Sequence, residues 1–181
     1  MKYDFTKIIP PRYHKVSYEN DIRDEIKEII KGQIQKRDGL YIQGAAGTGK
    51  TYLVCALAKY MLENGYEVRF FNTGDMLEKI REEFKNEIPR EEDEKGLFRE
   101  IMDFQGILFL DDIGAEKVSD WVRERIYLII NKRYENLLPT IFTSNIDLEI
   151  LSSRLDDRVA SRIREMTEII ILTGQDKRLI K

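Results

Sequence analysis

The chain has 181 residues, of which 42% are hydrophobic and 35% charged, and its net charge at pH 7 is −3. This length fits one compact domain with a full core, and the composition excludes a disordered or fibrous chain. No apolar run approaches the ~20 residues of a membrane span, and no apolar signal region opens the sequence. One cysteine and one histidine can form neither an internal disulfide nor a zinc site with four ligands. We therefore expect a cytoplasmic protein.

Helices and strands are predicted to alternate after an extended lead-in or linker at residues 1–18. Isoleucines at helical spacing predict a helix that begins at Asn20 and ends before Gly39. Thr73 is the predicted cap of the helix after the second strand. The further predicted elements are strands at 40–42, 67–71, 107–110, 140–143 and 168–172, a helix from 50 to 63, two helices between 74 and 105 split by a connection at 86–93, a helix at 120–136 with Trp121 on its buried side, and two short helices within 148–165.

This alternation predicts an α/β fold, because right-handed crossovers between successive strands give a parallel sheet with helices on both faces. Such sheets bind ligands beyond the carboxyl ends of their strands. Ligand-binding and catalytic residues are therefore expected in the loops that follow the predicted strands.

The loop after the first strand has the phosphate-binding pattern Gly-x-x-x-x-Gly-Lys-[Ser/Thr], between a strand and a helix as the pattern requires. Glycines let backbone N–H groups converge on phosphates, and the helix directs its positive end at them. Lys50 is predicted to reach the β- and γ-phosphates, and Thr51 to bind Mg²⁺. The predicted nucleotide-binding residues are Gly44, Ala45, Ala46, Gly47, Thr48, Gly49, Lys50, Thr51 and Tyr52.

Polar residues also follow the third and fourth strands. Asp111 is predicted to hold Mg²⁺ with Thr51, and Asp112 to orient and deprotonate an attacking water. Asn145, in Thr-Ser-Asn, is placed to orient that water against the γ-phosphate. The alternatives are an ordinary helix-capping aspartate and a turn or cap at Ser-Asn.

Two arginines one helical turn apart, Arg158 and Arg162, share a predicted helix face. They are candidates for an arginine finger, which neutralises transition-state charge at a neighbouring subunit's γ-phosphate. The alternative is a solvated helix whose arginines pair with neighbouring carboxylates.

Together these motifs resemble the AAA+ domain of bacterial DnaC/DnaI helicase loaders, relatives of the initiator DnaA. The resemblance implies a five-stranded sheet in the order 5-1-4-3-2, a reduced or absent helical lid, a lead-in at 1–18, an ATPase domain at 19–176 and a tail at 177–181. It makes Asn145 the first sensor, and Arg162, then Arg158, the candidate finger. ATP or ADP and Mg²⁺ are the implied cofactors, and turnover is expected to be slow and to depend on subunit assembly.

The implied partners are single-stranded DNA, further copies of the chain in an oligomer or spiral, the initiator DnaA, and a DnaB-type helicase bound through a region outside this sequence. Candidate DNA contacts are Lys117, Arg123, Arg125, Lys132 and Arg133, beside Trp121 and Tyr127. A solvated amphipathic helix is the alternative for that segment. Competing functions are an IstB-type transposition helper that acts on duplex DNA, a small-molecule kinase with the same phosphate loop, and a nucleotide switch that does not hydrolyse ATP.

Overall fold

The computed structural model describes residues 4–36, 38–86 and 96–174. Five parallel strands form its sheet: β1 (Gly39–Gln43), β2 (Val68–Asn72), β3 (Ile107–Asp111), β4 (Thr140–Ser144) and β5 (Thr167–Ile171). Their spatial order is β2-β3-β4-β1-β5. Counted from the other edge, this is 5-1-4-3-2, so the predicted fold class and strand order are confirmed.

Eight α-helices connect and flank these strands within the described residues: α1 (Tyr18–Asp21), α2 (Asp24–Lys36), α3 (Lys50–Glu63), α4 (Thr73–Asn86), α5 (Leu97–Asp103), α6 (Asp120–Glu135), α7 (Leu148–Arg154) and α8 (Asp157–Met166). The predicted connection at 86–93 lies, apart from Asn86, outside the described residues. No helix in the described part of the chain is long and apolar enough to cross a membrane.

The sheet separates two hydrophobic clusters because alternate side chains of a strand point to opposite faces. On β1, Leu40 and Ile42 pack with α2 and α3, whereas Tyr41 packs with Phe142 and the helices of the other face. The central strands β3 and β4 are buried along their whole length. Burial on both faces explains why Ile107 to Leu110 is continuously apolar rather than alternating.

The first predicted helix is divided in the structure. The chain is extended at Ile22, between α1 and α2. Ile26 and Ile30 point into the core, whereas Ile29 remains 43% exposed. Trp121 is half-buried, so the prediction that it lies on the buried side of α6 is only partly confirmed.

The predicted cap at Thr73 is wrong. The Asn72 side-chain oxygen accepts hydrogen bonds from the backbone N–H groups of Gly74 (3.1 Å) and Asp75 (3.3 Å) at the start of α4. Thr73 instead donates its hydroxyl to the carbonyl of Asp111, at 2.9 Å. The hydroxyl of Thr73 is therefore used in a tertiary contact between α4 and β3, and Asn72 caps the helix in its place.

The lead-in packs on α3 and is not uniformly extended. It contains two short turns of 3-10 helix, at Phe5–Lys7 and Pro11–Tyr13. Ile9 is 2% exposed and lies in the same cluster as the side chains of α3. Lys59 on α3 donates to the backbone carbonyls of His14 (3.1 Å) and Val16 (3.2 Å). The helix that follows the phosphate loop thus supports the lead-in.

Candidate nucleotide-binding site

Three neighbouring strands bring the candidate residues to one edge of the sheet. β3, β4 and β1 are adjacent and parallel, and their carboxyl ends lead into Asp111, Asn145 and the loop at 44–49, respectively. The side chains are in contact across these strand ends. The structure therefore brings together the five side chains predicted to contact the phosphates, the metal ion or the attacking water. They are Lys50, Thr51, Asp111, Asp112 and Asn145.

The phosphate loop has the backbone that its glycines permit. Gly47 and Gly49 have positive φ angles of 80° and 100°, which residues with a Cβ rarely adopt. A Cβ on Gly44 would lie 2.4 Å from the backbone oxygen of Leu172. α3 begins directly after Gly49 without a side-chain cap, so the N-terminal N–H groups of α3 remain suited to an anion. The loop fits a polyphosphate.

Lys50 is held inside the site, with 5% exposure. Its Nζ donates to the carbonyls of Gly44 (2.8 Å) and Ala45 (3.0 Å) and to Asn145 Oδ1 (2.6 Å). Asn145 in turn donates its Nδ2 to Asp112 Oδ1, at 3.1 Å. One hydrogen-bonded chain thus connects the loop cation to the candidate base through the candidate sensor.

The Thr51 hydroxyl lies 3.1 and 3.2 Å from the two carboxylate oxygens of Asp111. Burial raises the pKa of Asp111, and a hydrogen bond from Thr143 opposes that rise. A hydroxyl and one carboxylate beside a phosphate loop suit Mg²⁺, which binds through one or two carboxylates together with substrate phosphates. The predicted metal ligands, Thr51 and Asp111, therefore fit the ion.

Thr143 is a site residue that the motif search did not single out. Its hydroxyl donates to Asp111 Oδ1 at 2.6 Å and accepts from the backbone N–H of Asp112 at 2.8 Å. It is 1% exposed. Its position in Thr-Ser-Asn, two residues before Asn145, was the available signal. Thr143 fixes both acidic residues relative to β4.

Asp112 has a φ of 62°, in the left-handed region that aspartate tolerates better than most residues. The turn continues through Gly114, whose φ is 85° and whose N–H donates to the Glu116 carboxylate at 3.0 Å. Burial raises the pKa of Glu116. This second residue missed from sequence supports the turn that presents Asp112.

Tyr52 points away from the phosphate loop toward the lead-in. Its hydroxyl donates to Asp21 Oδ2 at 2.7 Å, and this bond raises the pKa of Tyr52 to about 12. Its ring meets the ring of Tyr13 edge-on, with centroids 6.4 Å apart. Tyr52 therefore links α3 to the lead-in and to α1.

Arg158 and Arg162 lie on α8 and have no described contact with Lys50, Asp112 or Asn145. Arg158 pairs with Asp156, at 2.9 Å between Nε and Oδ1, and its side chain is 63% exposed. The bond to Asp156 raises the pKa of Arg158. The pairing that the solvated-helix alternative predicts is present for Arg158, whose exposed side chain also faces outward.

Arg133 was wrongly predicted as a DNA contact. It is 1% exposed and donates to Thr140 Oγ1 (2.6 Å) and to the carbonyls of Phe104 (3.0 Å), Gly106 (2.6 Å) and Pro139 (3.0 Å). Burial lowers its pKa to about 9. Arg133 joins the ends of α5 and α6 to the starts of β3 and β4, at the edge of the sheet opposite the site.

Two other candidate DNA-contact residues, Trp121 and Arg125, lie in an aromatic–arginine cluster. Its members are Arg81, Phe84, Phe98, Trp121 and Arg125. The Arg125 guanidinium lies 5.1 Å from the ring centroids of both Phe84 and Phe98 and 5.8 Å from that of Trp121. Arg81 lies 4.8 Å from the Trp121 ring. Phe84 is 48% exposed, so α4, α5 and α6 present a surface that is both aromatic and cationic.

Comparisons with known proteins find relatives that match most of the chain. The family model of IstB-like ATP binding proteins matches residues 24–177. The replicative helicase loader DnaI of Bacillus subtilis is 27% identical over 172 residues, which cover 91% of this chain and 52% of that protein. The loader DnaC of Escherichia coli is 25% identical over 177 residues, covering 93% and 71%, respectively. The chain thus spans about half of DnaI.

Solved structures lead to the same group. A crystal structure of the DnaC helicase loader has a TM-score of 0.76 and 29% identity, covering 91% of this chain and all of that one. The initiator DnaA bound to AMPPCP and single-stranded DNA has a TM-score of 0.74 at 21% identity, covering 93% and 52%, which shows a shared fold. The chain therefore belongs to the family of IstB-like ATP-binding proteins and carries an AAA+ ATP-binding domain of the DnaC and DnaI helicase-loader type.

Proposed function

We propose that this domain hydrolyses ATP with Mg²⁺ and that the protein uses the reaction to load a replicative helicase onto single-stranded DNA. The observation that carries the proposal is the hydrogen-bonded chain from Lys50 through Asn145 to Asp112, beside the Thr51–Asp111 pair. A phosphate-binding cation, a sensor amide, a candidate base and two metal ligands meet at one edge of the sheet.

Each side chain has a role that follows from its contacts. Lys50 exchanges its bonds to two loop carbonyls and Asn145 for oxygens of the β- and γ-phosphates. Thr51 and Asp111 would hold Mg²⁺, which would supply positive charge beside the phosphates. Once Lys50 has turned to the phosphates, the Asn145 oxygen is released and can position a water beside Asp112.

Asp112 accepts from Asn145 and receives the proton of the attacking water. The left-handed turn at Asp112, tied to β4 by Thr143, sets the direction of its carboxylate. Proteins with similar motifs often have glutamate where this chain has Asp112, and the shorter side chain of aspartate supports the expectation of slow turnover.

The cation that stabilises the transition state is proposed to come from a neighbouring subunit. The structure keeps Arg158 and Arg162 out of contact with the site of their own chain. An arginine supplied by another protein molecule is worth about 10³–10⁵ in rate in related nucleotide hydrolases. Assembly of the chain into an oligomer would therefore control hydrolysis.

Turnover and binding measurements test this assignment. Asp112→Asn is expected to retain Mg²⁺–ATP binding and to lose hydrolysis, because it removes the base and keeps the shape. Lys50→Ala is expected to weaken nucleotide binding itself, and Arg162→Ala to lower turnover while binding persists. Wild-type turnover in Asp112→Asn would remove Asp112 from its role, and equal turnover in Arg162→Ala would remove Arg162.

The aromatic–arginine cluster is the proposed single-strand contact. Bases of any sequence stack on aromatic rings, and arginine adds attraction for the backbone. Phe84 is 48% exposed and Trp121 is half-buried, and the guanidinium groups of Arg81 and Arg125 lie over these rings. Arg125 also pairs with Glu124 at 3.4 Å, so Arg81 supplies most of the accessible positive charge. The overall charge of −3 does not oppose this, because binding needs only local positive charge.

Fluorescence anisotropy with single-stranded and duplex DNA of equal length, at one fixed salt concentration, tests the DNA proposal with ATP, ADP or no nucleotide. We expect ATP-dependent preference for the single strand, and a loss of that binding in Phe84→Leu. Tyr66→Leu is the matched control, because Tyr66 is an exposed aromatic outside the cluster. A preference for duplex DNA would contradict the proposed action on single strands. Unchanged binding in Phe84→Leu would exclude the aromatic–arginine cluster as the contact.

A DnaB-type replicative helicase is the proposed protein partner, on the strength of the similarity to the loaders DnaI and DnaC. The initiator DnaA is a second candidate partner. Cosedimentation of the complete protein, including the helicase-binding region expected outside this sequence, with each partner in the presence of ATP tests these partners. The absence of a complex between the complete protein and the helicase would exclude the helicase as a partner.

A further inference from the structure

The helix α6 presents a stripe of three side chains to α8. Tyr127, Asn131 and Tyr134 are spaced by four and three residues, so they lie on one face of α6. The Arg158 guanidinium lies 4.4 Å from the ring centroid of Tyr127. The Arg162 guanidinium lies 5.2 Å from the ring centroid of Tyr127 and 5.6 Å from that of Tyr134. One ring therefore contacts both candidate finger arginines.

Arg162 is held by rings and not by a carboxylate. The ion pairs of α8 in the described residues join Arg158 to Asp156 and Arg164 to Glu149. Arg162 has one described hydrogen bond, from Nη1 to the carbonyl of Arg158 at 3.2 Å. Its Nε is buried without a hydrogen-bond partner in the described part of the chain, and the same holds for Asn131 Oδ1.

An aromatic ring attracts a guanidinium without neutralising it. A carboxylate partner would have to be released before the arginine could serve a phosphate, whereas a stacked arginine keeps its full charge. The unpartnered Nε also leaves the guanidinium free of a hydrogen bond that would fix it against α6. This arrangement is suited to an arginine that must stay charged and remain ready to contact another anion.

We propose that Tyr127 is a positioning residue, which aims Arg162 of one subunit at the γ-phosphate bound by its neighbour. This inference rests on the proposed ATPase function and adds to it the side chain on α6 that orients the finger. Arg158 also stacks on Tyr127, but its ion pair with Asp156 would first have to break. Tyr134 supports Arg162 from the same stripe, and a hydrogen bond to Glu165 raises the pKa of the Tyr134 hydroxyl.

The first test compares three variants by ATP turnover. Tyr127→Leu keeps an apolar side chain on α6 and removes the ring, so we expect turnover to fall about threefold to tenfold. Tyr127→Phe keeps the ring and should restore turnover. Tyr66→Leu removes an exposed tyrosine elsewhere and serves as the control. Binding of a fluorescent ADP analogue and circular dichroism should be the same in all three.

The second test uses mixed subunits, since Arg162 acts on a neighbour. Lys50→Ala subunits lack a working phosphate loop and retain Tyr127, whereas Tyr127→Leu subunits retain the loop. Adding excess Lys50→Ala protein should raise turnover per Tyr127→Leu subunit toward the wild-type value, because each intact loop then meets a correctly aimed arginine. A general structural defect in Tyr127→Leu would not be repaired in this way.

The outcomes separate this inference from the function on which it rests. If Arg162→Ala lowers turnover but Tyr127→Leu does not, or if mixing fails to restore turnover, Tyr127 has no positioning role and the ATPase proposal stands. If wild-type protein does not hydrolyse ATP, or Arg162→Ala matches it, the proposed role of Arg162 in a neighbouring site is wrong and the inference falls with it.

Discussion

Replacing Thr143 by valine removes one hydroxyl from the buried part of the site and leaves its shape almost unchanged. The hydroxyl makes two hydrogen bonds, to the Asp111 carboxylate at 2.6 Å and from the Asp112 N–H at 2.8 Å. A bond to a charged group contributes about 1.5–3 kcal/mol, and a donor left unpaired in the interior costs about 1–3 kcal/mol. We expect Thr143→Val to lower the free energy of unfolding by about 3 kcal/mol.

The loss should depend on pH in a defined direction. The pKa of Asp111 is already raised by burial, and the Thr143 bond limits that rise, so Thr143→Val should raise it further. A carboxyl group with a raised folded-state pKa contributes stability below its unfolded-state pKa that is lost as pH rises through the folded value. The difference between wild type and variant should therefore be larger at about pH 7.5 than at about pH 4.5.

Urea denaturation of the nucleotide-free protein, followed by circular dichroism, measures both effects. Thr143→Ser is the matched control, since it keeps the hydroxyl and loses one methyl group, at a cost of about 1 kcal/mol. If Thr143→Val unfolds within about 0.5 kcal/mol of wild type, the two hydrogen bonds do not hold the acidic residues as the distances indicate. An equal difference at both pH values would reject the electrostatic part of the reasoning.

Four further substitutions test contacts and spaces in the fold and the site. Arg133→Met should destabilise the protein by about 3–5 kcal/mol in urea denaturation, because it leaves buried acceptors unpaired, and an unchanged midpoint would contradict this. Gly39→Ala should destabilise it strongly, since a Cβ there would lie 2.1 Å from a backbone oxygen of β4. Gly32→Ala, in α2, where an added Cβ would have no described atom within 4 Å, should stabilise the protein by about 0.5–1 kcal/mol, so thermal unfolding of Gly39→Ala and Gly32→Ala should shift in opposite directions. Asn145→Ala should lower ATP turnover about tenfold or more while nucleotide binding persists, because it removes the group between Lys50 and the base; equal turnover would exclude a sensor role.

The phosphate loop could be predicted because its determinants are local, whereas the strand order was available only through the resemblance to the helicase loaders. The glycines at 44, 47 and 49 followed by Lys50 specify a loop that depends little on the rest of the fold. Asp111, Asp112 and Asn145 could be placed together because parallel strands end at a common edge. Side-chain identities and strand topology were sufficient for these parts of the site.

The remaining features depend on contacts between distant segments. Arg133 lies in the charge pattern of a solvated helix face, yet its guanidinium is buried and donates to carbonyls at the end of α5 and just before β4. Thr73 is a good cap by composition, but β3 supplies a carbonyl that takes its hydroxyl. Thr143 looked like the ordinary end of a strand until β3 placed two aspartates beside it. Local spacing carries no information on which partner a side chain finds.

The buried position of Lys50 has a consequence for ligand choice. Its ammonium group already has three oxygen acceptors, so a ligand gains from this cation only what exceeds the bonds it replaces. A single phosphate group fills only part of the loop, whereas a chain of phosphates can reach Lys50 and the N–H groups of α3 at once. We therefore expect the resting contacts of Lys50 to favour polyphosphate nucleotides over monophosphates and inorganic phosphate.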